Sequence, residues 1–165
     1  MANDFQFLDP GPLRDGELTA VLVARNPADP EKGWVPSYAF ELRLDGVAEC
    51  VGKVSLRVGN TRSIELYGGH VGYGVDPKWR GRHYAERGVR LMLPLAKQHG
   101  LPTLWITCSP DNWPSRRTCE RLGAELVEIV PLPPDNDMYA RGRRESCRYR
   151  LTLGASAGEI SSIAS

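Results

Sequence analysis

Residues 72–93 read GYGVDPKWRGRHYAERGVRLML, and the fold turns on how this stretch is parsed. Gly72 and Gly74 weaken an otherwise extended segment, and glycine inside a strand marks a bulge or a place where a backbone or ligand comes close. Asp76-Pro77 closes that segment. Arg80-Gly81-Arg82-His83-Tyr84-Ala85 then leads into a helical pattern from about Tyr84 to His99, with Ala85, Val89, Met92 and Ala96 on one face and Gly88, Leu91 and Leu95 beside it. The first N–H groups of a helix have no partner within it, and the helix dipole adds positive potential there, so this loop can hold a pyrophosphate largely by main chain. Small residues allow the approach, and Arg80 and Arg82 add charge-assisted donors. Pro94 removes one backbone donor and crowds the carbonyl four residues back, which predicts a kink.

Working outward, the residues before this stretch are rich in strands. Leu18 to Ala24 (LTAVLVA) ends at Asn26-Pro27 and Asp29-Pro30. The loop through Gly33 and Pro36 is too short and Pro-rich for long helices. Tyr38, Phe40, Leu42 and Leu44 alternate up to Asp45-Gly46, a two-residue hairpin signal, and Val47 to Val58 returns. Ile64 to Val75 reads as one further extended segment carrying four glycines. After the helix, Leu104 to Cys108 reads as a buried strand. Trp113 to Leu122 is a short helix entered through Asp111 or Asn112 and stopped by Gly123, and Leu126 to Val130 is a strand. A Pro-rich excursion and a basic loop (Arg141, Arg143, Arg144) lead to a last strand, Cys147 to Leu153.

The chain has 165 residues with a formal net charge of +1, which fits one domain over 1–153, and GASAGEISSIAS reads as a flexible tail over 154–165. Near-neutral charge gives no sign of a nucleic-acid partner. The charge is uneven, however: acidic residues dominate the first 31 positions, while Lys78, Arg80, Arg82, Arg87 and Arg90 crowd the middle and suit a local anion site. Cys50, Cys108, Cys119 and Cys147 show no CxxC pair and no His at ligand spacing, so no metal site and no disulfide framework is expected. The N-terminus lacks the features of a signal peptide, and no apolar run approaches the ~20 residues that span a bilayer. A cytoplasmic protein without a membrane partner is the expectation.

The loop resembles that of the GCN5-related N-acetyltransferase (GNAT) superfamily, in which Gln or Arg, two variable residues, Gly, one variable residue and then Gly or Ala cradle the cofactor pyrophosphate. Arg80, Tyr84 and Ala85 fit, and His83 stands where the first of those glycines is expected. CSPDNWPSRRTCERLGAEL (108–126) is similar to the superfamily's second signature, matching at Asn112, Ser115, Leu122 and Gly123. The two motifs together look closest to a bacterial subgroup of acetyltransferases and cover roughly residues 17 to 153.

The resemblance implies an α/β (α+β) fold: a mixed, mostly antiparallel sheet of six to seven strands with helices on both faces, splayed between the family's fourth and fifth strands. It implies acetyl-CoA or CoA as cosubstrate, an acyl group moved to an amine by direct attack, and no metal. Arg80, Gly81, Arg82, His83, Tyr84 and Ala85 would cradle the pyrophosphate, with Asn112 and Ser115 flanking the pantetheine. The fourth strand falls at Ile64 to Val75, with Val75 or Tyr73 as the main-chain contact to the thioester carbonyl, an interaction worth about 3 kcal/mol. His70 or Glu65 would serve as base, directly or through water. Many relatives protonate the departing thiolate with a Tyr seven residues after the motif Asn; that position is Cys119, whose thiol could take the role or merely pack.

The acceptor, a small-molecule or peptide amine, is not fixed by these motifs, and a homodimer is left open. A non-catalytic acyl-CoA-binding domain is the competing reading. A Rossmann-like nucleotide site is disfavoured, because Gly72-Tyr73-Gly74 lacks the third glycine and runs into Asp-Pro. Trp105 and the Leu91/Leu95 stripe belong to the core, and Arg116, Arg117 and Arg121 to a solvated helix face.

Overall fold

The computed structural model describes residues 5–154; the expected tail falls outside them from residue 155 onward. Among the described residues, eight strands form two antiparallel sheets. The first, in order β1 (Arg14–Asp15), β2 (Leu18–Asn26), β3 (Ser37–Leu44), β4 (Gly52–Arg57) and β5 (Val71–Val75), is a meander. The second places β8 (Glu145–Thr152) between β6 (Thr103–Cys108) and β7 (Glu125–Pro131). The parting of the two sheets between β5 and β6 is the splay expected from the sequence, since β5 and β6 hold the places of the family's fourth and fifth strands.

The alternation in β3 drives the first sheet. Tyr38, Phe40, Leu42 and Leu44 are buried on one face, where α1 (Tyr84–Gln98) lies across β4 and β5. Tyr84, Gly88, Val89, Met92, Leu95 and Ala96 form the buried stripe of that helix, and each fully buried large aliphatic among them contributes roughly 1.5–3 kcal/mol. Gly88 sets the approach distance, because a Cβ there would meet Leu42 Cδ1 at 3.1 Å. Pro94 lies within α1, followed by four more helical residues. The second helix, α2 (Trp113–Arg121), packs on α1 and β6. A short α3 (Asp137–Ala140) fills the Pro-rich excursion.

Ile64 to Val75 is not one extended segment. Residues 64–68 form a wide helical turn closed by Gly69 N–H on the Ile64 carbonyl, 2.8 Å, five residues back, and only Val71–Val75 is strand. Gly69 makes the switch possible: its φ is +74°, and a Cβ there would stand 2.8 Å from the Trp105 carbonyl oxygen. The turn crosses β6 and β8 on the face opposite α1 and α2, held by Thr107 Oγ1 on the Tyr67 carbonyl (2.7 Å) and Arg148 Nε on the Glu65 carbonyl (2.8 Å).

Over the first sheet, no helix among the described residues covers that same face. Cross-strand register aligns Val21, Glu41, Lys53 and Gly74 in one row. Val21 and Val23 are 42% and 55% exposed. The loop from β2 to β3 is too short to carry a covering helix, as its composition predicts.

Candidate functional site

The cleft at the splay begins where His70 ends the contact between the two sheets. His70 N–H donates to the Trp105 carbonyl (2.7 Å), and its ring Nδ1 accepts from Trp105 N–H (2.9 Å). That ring bond fixes the tautomer: Nε2 carries the proton and donates to the Gly59 carbonyl or Asn60 Oδ1, each at 3.0 Å. The ring stands in for a strand partner, so β5 can leave β6 without orphaning the Trp105 amide. His70 is fully buried, and burial lowers its pKa to about 4. Its expected role as base is therefore corrected. A buried imidazole already occupied at both nitrogens has no free atom to take a proton from an amine, and it acts as a fastener.

Beyond His70 the register of β5 decides what faces the gap. Arg57 N–H bonds the His70 carbonyl, and Asp76 N–H bonds the Val51 carbonyl. Because antiparallel pairs alternate between bonded and non-bonded, Gly72 and Gly74 turn their main-chain groups to β4, and Tyr73 and Val75 turn theirs to the splay. Tyr73 and Val75 are the residues from which a main-chain contact to the thioester carbonyl was expected.

A cleft of about 650 Å³ opens past these amides on the α1/α2 side, lined by Tyr73, Gly74 and Val75 of β5. Arg80, Gly81, His83, Tyr84 and Ala85 form one wall, and Asn112, Ser115 and Arg117 another. Of the residues expected to hold a cofactor, Arg82 alone does not line the cleft; its guanidinium lies over the Trp79 ring, 5.4 Å from the centroid. Arg80 Nε donates to the Val75 carbonyl (2.9 Å), which ties the loop to the end of β5. The first bond inside α1 is Arg87 N–H to the His83 carbonyl, so the amides of Tyr84 and Ala85 have no helical partner. His83 takes the left-handed conformation, φ +64°, the one positive φ outside glycine among the described residues. It thus keeps the backbone shape for which a glycine would be the unstrained choice.

The unpartnered amides of Tyr84 and Ala85 share this lining with Arg117, Arg121 and the β5 residues, and the indole N–H of Trp79, also in the lining, is buried without a hydrogen-bond partner. Arg121 is shared with Glu86 (2.8 Å). The helix face read as solvated is more structured than expected: Arg116 Nε bonds Tyr149 Oη at 3.0 Å and Arg117 lines the cleft. Asn112 caps α2 by accepting from Ser115 N–H at 3.3 Å.

Two further expectations change. Glu65 belongs to the wide turn, off the strand, and lines neither the cleft nor the trough behind it. Cys119 is fully buried, and burial pushes its thiol up to about 12. It lies behind Tyr73, whose hydroxyl is 3.9 Å from Sγ and 2.6 Å from Ser115 Oγ. Sequence reasoning placed Tyr73 only through its backbone; the alternation of β5, which sends residue 73 to the helix side, was the available signal. Among the described residues no group of His, Cys, Asp and Glu could hold a metal ion, and no helix is long and apolar enough to cross a membrane.

The described residues thus form two antiparallel half-sheets parted over a cleft that the start of α1 lines. Residues 2–125 match the model of the acetyltransferase (GNAT) domain, and the chain belongs to that family. No curated protein sequence matches it.

Among solved structures, an acetyltransferase of the GNAT family from Bacillus anthracis aligns with TM-score 0.54 at 21% identity, covering 70% of this chain and 66% of that one. A protein provisionally assigned as a ribosomal-protein-serine acetyltransferase from Vibrio cholerae gives 0.61 at 15%, covering 92% and 99%. The RimJ protein of Mycobacterium smegmatis, in complex with CoA-disulfide, gives 0.54 at 21%, covering 78% and 60%. The chain thus spans less than two thirds of the Bacillus and Mycobacterium proteins. At these identities the likeness is one of fold.

Proposed function

We propose that the chain is an acyl-CoA-dependent N-acyltransferase with acetyl-CoA as its donor. The observation that carries this reading is the pair of β5 amides, Tyr73 and Val75, turned into the gap above a cleft that ends on the free amides of α1. The pyrophosphate would lie on the amides of Tyr84 and Ala85, with Arg80 and Arg117 adding charge. The pantetheine would run past Asn112 and Ser115, and the thioester carbonyl would accept from Tyr73 or Val75 N–H. That donor stabilises the negative oxygen of the tetrahedral intermediate, by about 3 kcal/mol.

On the opposite face of β5 a trough of about 400 Å³, floored by Ala39, Ser55, Gly72 and Gly74, gives an amine a route to the same carbonyl. Glu41 in its wall is paired with Arg43 at 2.6 Å. With His70 and Glu65 removed as bases, the amine loses its proton to water as it is desolvated. The structures of similar fold include proteins described as ribosomal-protein acetyltransferases, which supports a protein N-terminus beside small amines as acceptor.

The test is release of free thiol from acetyl-CoA with a panel of amines and peptides. Turnover with any member supports the enzyme. Saturable binding with no thiol release from the panel leaves an acyl-CoA-binding module, and no binding overturns the reading.

A further inference from the structure

The face of β4 opposite α1 carries positive charge that no described carboxylate balances. Strand alternation sets Lys53, Ser55 and Arg57 on that face. Register places Lys53 between Glu41 and Gly74, and Ser55 between Ala39 and Gly72. Their neighbours on β5 are both glycine, so no β5 side chain stands between this row and the strand whose Tyr73 and Val75 main-chain groups face the gap. Lys53 and Ser55 line the trough of about 400 Å³.

Glu41 stands directly across from Lys53, yet its carboxylate is held by Arg43, from Nε at 3.1 Å and Nη2 at 2.6 Å. Lys53 is exposed and makes no ion pair among the described residues. Arg57 is half-buried, and burial works against its charge and lowers its pKa. Its Nη1 donates to the carbonyls of Gly68 and Gly69, at 3.3 and 3.0 Å, where the wide turn ends. Those neutral acceptors are its only side-chain partners among the described residues, and its Nε and Nη2 are not sealed from solvent. A partly desolvated guanidinium ordinarily has a carboxylate beside it.

We propose that this face selects the acceptor, an acidic polypeptide N-terminus whose α-amine enters the gap at Tyr73 and Val75 while carboxylates in its next few residues pair with Lys53 and Arg57. The inference rests on the acyltransferase reading above and adds the chemical class of its acceptor. Lys53 and Arg57 lie four positions apart on one strand, about 13 Å, which is the span of about four extended residues. One carboxylate beside an amine meets one of these cations; a chain carrying several meets both, and this distinguishes a peptide from a free amino acid. The same positive potential disfavours the protonated amine and so assists the loss of its proton.

The test compares hexapeptides that share an N-terminal Ser, followed by Asp and Glu in one and by Asn and Gln in the other, in the thiol-release assay with acetyl-CoA. The acidic peptide is expected to show a kcat/KM at least about tenfold above its amide counterpart. The advantage lies mainly in KM and shrinks as salt rises from about 0.05 to 0.5 M. Lys53→Glu, at an exposed position, is expected to fold as the parent does and to cut that advantage at least about fivefold. Arg57→Gln acts in the same direction, with its Tm read alongside because the wide turn loses its donor.

Equal kcat/KM for the two peptides, or an advantage unchanged in Lys53→Glu, overturns the proposal. Free aspartate or glutamate used as efficiently as the acidic peptide overturns the assignment to a polypeptide. Binding of the same peptides, followed by the anisotropy of a C-terminal label, separates this proposal from the reading beneath it. A parent that binds the acidic peptide selectively but transfers to no amine defeats the acyltransferase reading and leaves the acidic-peptide surface in place. A parent that transfers to amines without that selectivity defeats the surface alone.

Discussion

His70 shows how one side chain can serve architecture where a sequence reading assigns it chemistry. A histidine near a splay has the right ordinary pKa for a base, but this one is committed at both nitrogens. The consequence is a pH dependence of stability. Because burial lowers its folded pKa to about 4, the unfolded chain binds the proton more readily. His70's contribution is therefore complete above about pH 6.5 and is lost as pH falls toward 4, by roughly 3 kcal/mol at the limit. Urea unfolding at pH 7 and pH 4.5 checks this: the parent is expected to lose more stability between those values than His70→Leu does. The leucine variant itself starts about 1–3 kcal/mol less stable, since the Trp105 amide loses its acceptor. Equal losses in the two proteins would show that other groups carry the acid sensitivity.

Asn112 makes a second residue-scale case, because it caps α2 and also lines the cleft. Asn112→Ala is expected to cost about 1 kcal/mol as a lost cap and in addition to raise the KM for acetyl-CoA. A variant that melts lower with an unchanged KM would reduce Asn112 to a cap.

Among the elements, those with strong periodicity were legible. The β3 alternation, the α1 stripe and the Asn112 entry to α2 lie where the sequence puts them, because each signal is local; Asp45-Gly46 does turn the chain, but not as a two-residue hairpin, since the return strand begins only at Gly52, opposite Leu42, and not at Val47. The segment from Ile64 to Val75 was not legible as a turn and a strand. Its glycines marked close approach correctly, yet nothing local says that the approach at Gly69 is to the backbone of β6, 36 positions on. Gly69→Ala tests that contact. With a positive φ and a Cβ 2.8 Å from the Trp105 oxygen, the variant should lose about 2–4 kcal/mol, read from its denaturant midpoint. A loss under about 0.5 kcal/mol would mean that the turn and β6 are less tightly joined.

In the candidate site, the residues of the loop from Arg80 to Ala85 were readable as a motif, and the facing of Tyr73 and Val75 followed once the β4–β5 register was known. The alternation of β5 could have sent the Tyr73 phenol to the helix side, but its contact with Ser115 and the burial of Cys119 were not readable, since both depend on how α2 docks across the splay.

At the scale of the whole molecule, the described residues form two half-sheets sharing one helix-covered face, joined at His70 and open beyond it, and no described helix covers the other face of the first sheet. A cosubstrate that lies across the opening contacts both halves and should stabilise their joint fold. At a hundredfold excess over its Kd, acetyl-CoA is expected to add about 2.7 kcal/mol, which raises Tm by several degrees for a chain of this size. An unmoved Tm at millimolar acetyl-CoA would argue against a ligand spanning the two halves.

The central claim, that acyl-CoA is held with its pyrophosphate at the start of α1, is tested most directly by calorimetric titration of acetyl-CoA into the parent chain and into Arg80→Glu. The account predicts saturable one-to-one binding by the parent and an affinity at least about tenfold weaker in the variant, where a cationic donor beside the phosphates becomes a like charge. Absence of binding by the parent at millimolar acetyl-CoA, or equal affinity in both proteins, would contradict it.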